Sequence, residues 1–267
     1  MKPKILILTG YGINCEEETE YAFHLAGGAT EIVHINDLID GSKKLLDYQV
    51  LAIPGGFSYG DDTGSGNALA NRIKNNLAAF VYKFIEKDTL TIGICNGCQV
   101  LASLGIVPGF EHHEHKRDVV FTHNTSARYE DRWVHLKVEK TDCVFTKGMD
   151  NLFVPIAHGE GNFYAKDSVV NKLKEKRQIV LRYALSDGKP AQGAFPMNPN
   201  GSMDDVAGII DPTGRVLALM PHPERHIFFT HHPEYPLLKE QLLRQNRNLP
   251  EKGEGLKLFE NAVAYFK

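Results

Sequence analysis

Over the first hundred residues, short unbroken apolar runs alternate with stretches whose apolar positions recur at helical spacing. Ile5–Leu8 reads as a buried strand ending at the turn signal Thr9-Gly10-Tyr11-Gly12. Glu16–Glu18 then open a helix, since acidic side chains suit the positive end of its dipole. Ala22, Phe23, Leu25 and Ala26 supply the apolar face, and Gly27-Gly28 stop it. Glu31–Ile35 and Val50–Ile53 follow as the second and third strands. Leu69, Ile73, Leu77, Phe80, Val81 and Phe84 form one stripe of a helix predicted from Asn67 to about Glu86. Thr89–Ile94 is a fourth strand that runs straight into Cys95, and Gln99–Leu104 continues as helix to Gly105. This alternation predicts βαβ units and an open, mostly parallel sheet flanked by helices.

The middle of the chain changes style. Trp133–Val138, Gln178–Tyr183, Gly208–Ile210 and Val216–Met220 read as strands without long helices between them, which predicts an antiparallel or mixed extension. Proline and glycine crowd Lys189–Gly201, a predicted surface loop. The tail returns to helix, first with Leu237, Leu238, Leu242 and Leu243, then with Leu256, Phe259, Val263 and Phe266. Asn248–Gly255 is a polar linker between them, and both stripes are expected to pack against the core. The expectation is therefore an α/β fold in a single domain over 1–267, with a helical C-terminal extension, 226–267, packed on it.

Composition narrows the partners. With 42% hydrophobic and 24% charged residues the chain can build a sizeable core. A formal net charge of −3 gives no global attraction to nucleic acid or to an anionic membrane. The apolar run after Met1-Lys2-Pro3-Lys4 is too short for a signal peptide, and nothing approaches the roughly 20 apolar residues of a membrane-spanning helix. Four cysteines are too sparse for a disulfide framework, so a reducing, cytoplasmic setting is expected. Cys95 and Cys98 form a C-x-x-C, but no second pair completes a zinc site. The run Glu111-His112-His113-Glu114-His115 lacks helix-face ligand spacing and is taken as a solvated loop, as is His231-His232. No metal site is predicted.

Candidate chemistry centres on Cys95. Strand, cysteine and helix follow one another in Thr91-Ile92-Gly93-Ile94-Cys95-Asn96-Gly97-Cys98-Gln99, a junction that needs small neighbours such as Gly93 and Gly97. A helix N-terminus favours thiolate over thiol, and the backbone N–H of Asn96 can stabilise an oxyanion. An inert buried cysteine would occupy the same place, so the chemistry needs a base. Val216–Met220 ends in Pro221-His222-Pro223-Glu224, where two prolines impose an extended backbone. Side chains two apart then share a face, which lets Glu224 orient His222. Cys95, His222 and Glu224 form a plausible triad, against the plain alternative of a structural histidine in a turn.

These residues resemble a known family. Gly93-Ile94-Cys95-Asn96-Gly97-Cys98-Gln99 matches the G-x-C-x-G-x-Q signature of class I, triad-type glutamine amidotransferases, and His222-Pro223-Glu224 matches their H-P-E. The fold implied is flavodoxin-like, and the reaction implied is hydrolysis of glutamine's side-chain amide through a γ-glutamyl thioester. Carried over by position, Cys95 attacks, His222 is base and then acid, and Glu224 orients it. Asn96 gives one backbone oxyanion donor, Gly56 or Phe57 the second, and Gln99 lies beside the substrate. The segment Pro54-Gly55-Gly56-Phe57-Ser58-Tyr59-Gly60-Asp61-Asp62 resembles one branch, the glutaminases of formylglycinamidine ribonucleotide synthetase in purine biosynthesis. Gly12–Glu16, Asn124–Trp133 and Pro155–Phe163 agree with that branch. The resemblance puts Asn124, Ser126 and Arg128 near the glutamine, and His158 with Glu160 close to the site or its partner face. Thr63-Gly64-Ser65-Gly66-Asn67 departs from the Arg-Ala-Gly stretch usual there, which leaves partner contacts at that loop open.

The implied partners are L-glutamine, a synthetase subunit and a small accessory subunit. No cofactor is expected in this chain. Gly64-Ser65-Gly66 lacks the lysine of a phosphate loop, so ATP and magnesium belong to the synthetase, which would convert formylglycinamide ribonucleotide to the amidine. A stand-alone cysteine hydrolase or peptidase, and a catalytically silent binding subunit, are the rival readings.

Overall fold

The computed structural model describes residues 2–110 and 116–267. The histidine-rich run Glu111–His115 lies outside the described residues. The chain begins β1 (Lys4–Thr9), α1 (Glu16–Leu25), β2 (Ala29–His34), α2 (Ile35–Ile39) and β3 (Val50–Ile53). It continues with α3 (Asn67–Asn76), α4 (Ala78–Glu86), β4 (Leu90–Ile94) and α5 (Asn96–Ser103). Next come β5 (Val119–Thr122), β6 (Glu130–Val138), β7 (Asn151–His158), β8 (Asn162–Ala165), α6 (Asp167–Glu175) and β9 (Ile179–Ala184). The last elements are β10 (Val206–Ile210), β11 (Val216–Leu219), α7 (Tyr235–Arg244) and α8 (Leu256–Ala264).

Among the described residues, nine strands form one sheet in the order β2-β1-β3-β4-β11-β10-β9-β6-β7, and β5 pairs with β8 in a separate ribbon. The first five strands of that order pair in parallel, and the remaining four pair antiparallel. The expected α/β fold, a parallel sheet with an antiparallel extension, is what forms. The reason lies in burial. β3, β4 and β11 are buried at every position, which makes them continuous apolar runs in the sequence. Helix α5 packs with β4, β11 and α3, while α1 packs with α8.

Several expectations need correction. The helix predicted from Asn67 to Glu86 is two helices, broken at Leu77, whose φ of −127° and ψ of 0° leave the helical region. The break turns Phe80 outward, and it is 52% exposed instead of lying in the stripe. Leu25 is also exposed, and Ile35 opens α2 instead of ending a strand. The Lys189–Gly201 loop is only partly superficial, because Asn198 and Asn200 are buried and hydrogen-bonded. In the tail, α8 buries Leu256, Leu258, Phe259, Ala262 and Val263, whereas α7 buries nothing. The expected packing of the Leu237–Leu243 stripe does not occur. His231 is exposed as expected, but His232 joins a ring cluster with Trp133, Phe153 and His226. No helix among the described residues is long and apolar enough to cross a membrane.

Candidate active site

Three neighbouring parallel strands, β3, β4 and β11, end on the same side of the sheet, where open α/β folds bind their ligands. The register pairs Leu219 with Ile94 and Ile53 with Gly93, so the residues just beyond each strand converge. Cys95 is anchored there by its N–H to Leu219 O, at 2.8 Å. Its backbone has φ +51° and ψ −105°, a strained conformation for a residue with a side chain. The turn survives because its neighbours are bare. A Cβ on Gly97 would strike the carbonyl of Ile53, and one on Gly93 would strike Gly97. Asn96 opens α5, so its N–H is one of the first-turn donors that a helix leaves without an internal acceptor.

His222 reaches this place from β11, and its N–H donates to Pro155 O at 2.8 Å. Glu224 Oε1 accepts from His222 Nδ1 at 2.5 Å, and both side chains are almost fully buried. The route differs from the expected one. Pro223–Arg225 is a 3-10 turn and not an extended run, so the pair meets across a tight turn. His222 Nε2 makes no well-aligned hydrogen bond, although the thiols of Cys95 and Cys15 both lie close enough to act on the ring. Burial pushes the imidazole pKa down, but the Glu224 carboxylate and the two sulfurs outweigh it and hold it well above the ordinary histidine value. The Cys95 thiol itself points at Ala157 O, 3.7 Å away. β7 lies five places from β4 in sheet order, so the extension must curl back to bring Pro155 and Ala157 over the site.

The other predicted residues divide into two groups. Ile13 and Gly56 form a bridge in which Phe57 N–H donates to Gly12 O at 2.7 Å. The Phe57 N–H is thus occupied, which leaves Gly56, at φ +148°, as the donor of choice. Gln99 donates to Glu160 O at 2.7 Å and accepts from Asn96 Nδ2 at 3.0 Å. Asn96 Oδ1 in turn accepts from Ser58 Oγ at 2.6 Å. Asn124 is saturated by protein: its amide donates to Arg128 O and His158 O, and its oxygen accepts from Gly161 N. These amides brace the loops instead of facing outward. Ser126 Oγ likewise bonds Glu130 Oε1 at 2.8 Å. Arg132 pairs with Glu130 and lies over the Phe195 ring, 4.7 Å from its centroid. His158 is buried beside Asn124, and desolvation, reinforced by His222, lowers its pKa to about 3.

Arg128, a predicted binding residue, lines open space. It borders a cavity of about 960 Å³ with Asp61, Asp62, Ser65, Arg117, Tyr129 and Glu160 among its walls. Glu160 Oε2 accepts from Ser65 N at 3.1 Å, so the loop that departs from the family pattern is tied to the cavity wall. Burial raises the Asp61 carboxyl pKa, and Tyr129 is raised in the same way. Sequence reasoning missed Asp61, Ser58 and Tyr129 as site residues, though each lies inside a motif it had quoted. It also missed Cys15, which sits under the triad and accepts from Arg225 Nη2 at 3.2 Å. Cys98 is buried within α5, and burial drives its thiol pKa well up; all four cysteines are free.

Comparison with known proteins agrees with this geometry. The model of the CobB/CobQ-like glutamine amidotransferase domain matches residues 2–266. The phosphoribosylformylglycinamidine synthase subunit PurQ of Methanococcus maripaludis is 53% identical over 267 residues, covering 99% of this chain and 97% of the relative. The subunit of the same name from Dehalococcoides mccartyi is 45% identical, covering 99% and 98% of the two chains. A chain in the structure of PurLQS from Thermotoga maritima superposes with a TM-score of 0.73 at 28% identity, with 100% of each chain covered. An elbow cysteine facing a carboxylate-held histidine, and likeness along its whole length, lead to one conclusion: the chain belongs to the CobB/CobQ-like glutamine amidotransferases.

Proposed function

We propose that this chain is the glutaminase subunit of a phosphoribosylformylglycinamidine synthase, hydrolysing L-glutamine to glutamate and passing ammonia to a synthetase in purine biosynthesis. The observation that carries this reading is the convergence of Cys95 with the His222–Glu224 pair beyond β4 and β11. The whole-length likeness to PurQ subunits supports the choice of branch. The cavity that Arg128 borders carries carboxylates and guanidinium groups together, which suits the α-ammonium and α-carboxylate of a free amino acid. Arg128 is the binding residue we favour for the carboxylate, with Asn124, Ser126 and Gln99 shaping the loops around it.

In the reaction, Cys95 Sγ attacks the side-chain carbonyl carbon as a thiolate, its proton residing on His222. N–H groups of Asn96 and Gly56 stabilise the oxyanion; each such donor is worth roughly 3 kcal/mol in the transition state. His222 returns the proton to the leaving nitrogen, ammonia departs, and a γ-glutamyl thioester remains. Water then attacks with His222 as base, and collapse releases glutamate and the thiolate. Ammonia protonated in bulk water has no lone pair, so it must travel shielded to the partner. We assign the ATP and magnesium chemistry to that synthetase, and expect a small accessory subunit in the assembly, as the likeness to a PurLQS chain supports. The setting we expect is the cytoplasm, where Cys95 stays reduced.

The test replaces Cys95 with Ala in the reconstituted complex. Glutamine-driven amidine formation should disappear while ammonia-driven formation persists. Loss of both, or retention of both, would reject the assignment and leave room for a hydrolase of another substrate or a silent subunit.

A further inference from the structure

The mechanism leaves one buried nucleophile beside the triad unused. Cys15 sits at the N-terminus of α1 with its sulfur against the His222 ring, and it is 1% exposed. One donor atom from each of Cys15, His222 and Glu224 lies within 4.8 Å of the others. Two further polar atoms there, His222 Nε2 and Glu224 Oε2, are buried and unpartnered. A thiol, an imidazole and a carboxylate make the mixed S/N/O set that borderline-soft divalent cations select. Bonds of about 2.0–2.3 Å place tetrahedral ligands roughly 3.2–3.8 Å apart, so donors within 4.8 Å of one another need to close by no more than about 1–1.6 Å.

The geometry points to an inhibitory site for a soft divalent cation, Zn²⁺ foremost, built from Cys15, His222 and Glu224. Binding displaces the thiol proton of Cys15 to water, while the neutral His222 ring keeps its one proton on whichever nitrogen does not bind the cation. Either imidazole nitrogen serves the purpose. Coordination through Nε2 consumes the lone pair that takes the Cys95 proton, and coordination through Nδ1 moves the ring proton to Nε2, the wrong tautomer for a base. The cation thus switches the triad off without touching Cys95. This inhibition rests on the proposed role of His222, whereas the binding itself does not.

The experiment uses the full chain, reduced and metal-free, titrated with Zn²⁺ against a chromophoric chelator. X-ray absorption at the zinc edge reads the ligands, and ammonia release by the complex is followed in parallel. The wild-type chain should bind one Zn²⁺ with a single sulfur ligand and lose ammonia release as that site fills. Cys15→Ala should bind at this site about tenfold or more weakly and lose zinc sensitivity in proportion. Cys95→Ser should bind as the wild type does. Surface histidines give nitrogen-only sites, which the absorption spectrum separates. The proposal is overturned by absence of sulfur-ligated zinc in the wild type, by unchanged affinity in Cys15→Ala, or by loss of binding in Cys95→Ser. Should Cys15→Ala fail to fold, the sulfur count in the wild type and in Cys95→Ser decides alone. Sulfur-ligated binding in a chain that never releases ammonia would uphold the metal site and reject the functional reading.

Discussion

At Cys95 a positive φ places the sulfur on a sharp turn at a cost on the order of 1–3 kcal/mol, which the sheet around it absorbs. Gly55 shows how little slack surrounds that turn. A Cβ there would lie 2.7 Å from His222 Cε1, 3.1 Å from Cys15 Sγ and 3.4 Å from Cys95 Cβ. Its backbone φ is not positive, so alanine strains only the site. Gly55→Ala should therefore move imidazole relative to sulfur and lower kcat on the order of 10²-fold, as a misplacement of about 1 Å does. Steady-state ammonia release read beside a thermal melt checks this; an unchanged kcat would mean that the ring does not work from its observed position. Glu224→Gln keeps the shape and loses the charge that fixes the tautomer, and kcat should fall by roughly 10⁴ with KM nearly constant. Stopped-assay glutamate release over a range of glutamine concentrations measures it. The triad was legible because Cys95 and His222 each terminate an unbroken apolar run. Cys15 was not, since nothing in a helix-start motif tells that α1 begins beneath a residue more than two hundred positions away.

Elements were legible in proportion to how fully they are buried. β1, β3, β4 and β11 are enclosed by helices or neighbouring strands and read as solid apolar runs. β5 and β8 were missed as strands and α6 as a helix, because their half-exposed patterns mix polar residues into short segments, whereas β7 is mostly buried and was missed because Pro155 interrupts its apolar run. The two tail helices make the same point from the other side. Both carry leucines at helical spacing, yet only α8 finds a surface, its Phe259 meeting Phe23 of α1 edge-on at 4.8 Å between centroids. Phe259→Ala should cost about 3–5 kcal/mol of unfolding free energy, through lost burial and the cavity left behind. Leu243→Ala on α7, where Leu243 is 49% exposed, should stay within about 0.5 kcal/mol. Urea unfolding of the two variants side by side tests the contrast. Comparable losses would show that α7 packs in solution against something its exposure here does not reveal.

On the scale of the whole molecule, several buried histidines titrate in opposite senses, and their sum sets how the fold responds to acid. Desolvation lowers the pKa of His158 to about 3, and burial lowers His135 and His226 as well. For each of these the unfolded chain takes up a proton first, near pH 6.5, so stability falls as pH drops below that value. For His158 the fall continues to about pH 3, at up to about 1.4 kcal/mol per pH unit for its single proton. His222 works the other way, because the Glu224 carboxylate raises its folded value. Its contribution is fully present below the unfolded pKa and is lost as pH rises through the folded one. Below pH 6.5 the His222 contribution is constant and the three lowered histidines set the slope, so their net effect is a decline in stability between pH 6.5 and 4. His158→Gln takes the deepest of them out of the titration. Urea midpoints measured at half-unit steps should then show a shallower acid slope for His158→Gln, by close to one proton per molecule, whatever its stability at pH 7. An identical slope in the variant would mean that His158 stays in contact with solvent protons, and that the Asn124–His158–Gly161 bracing under the site opens far more readily than its burial implies.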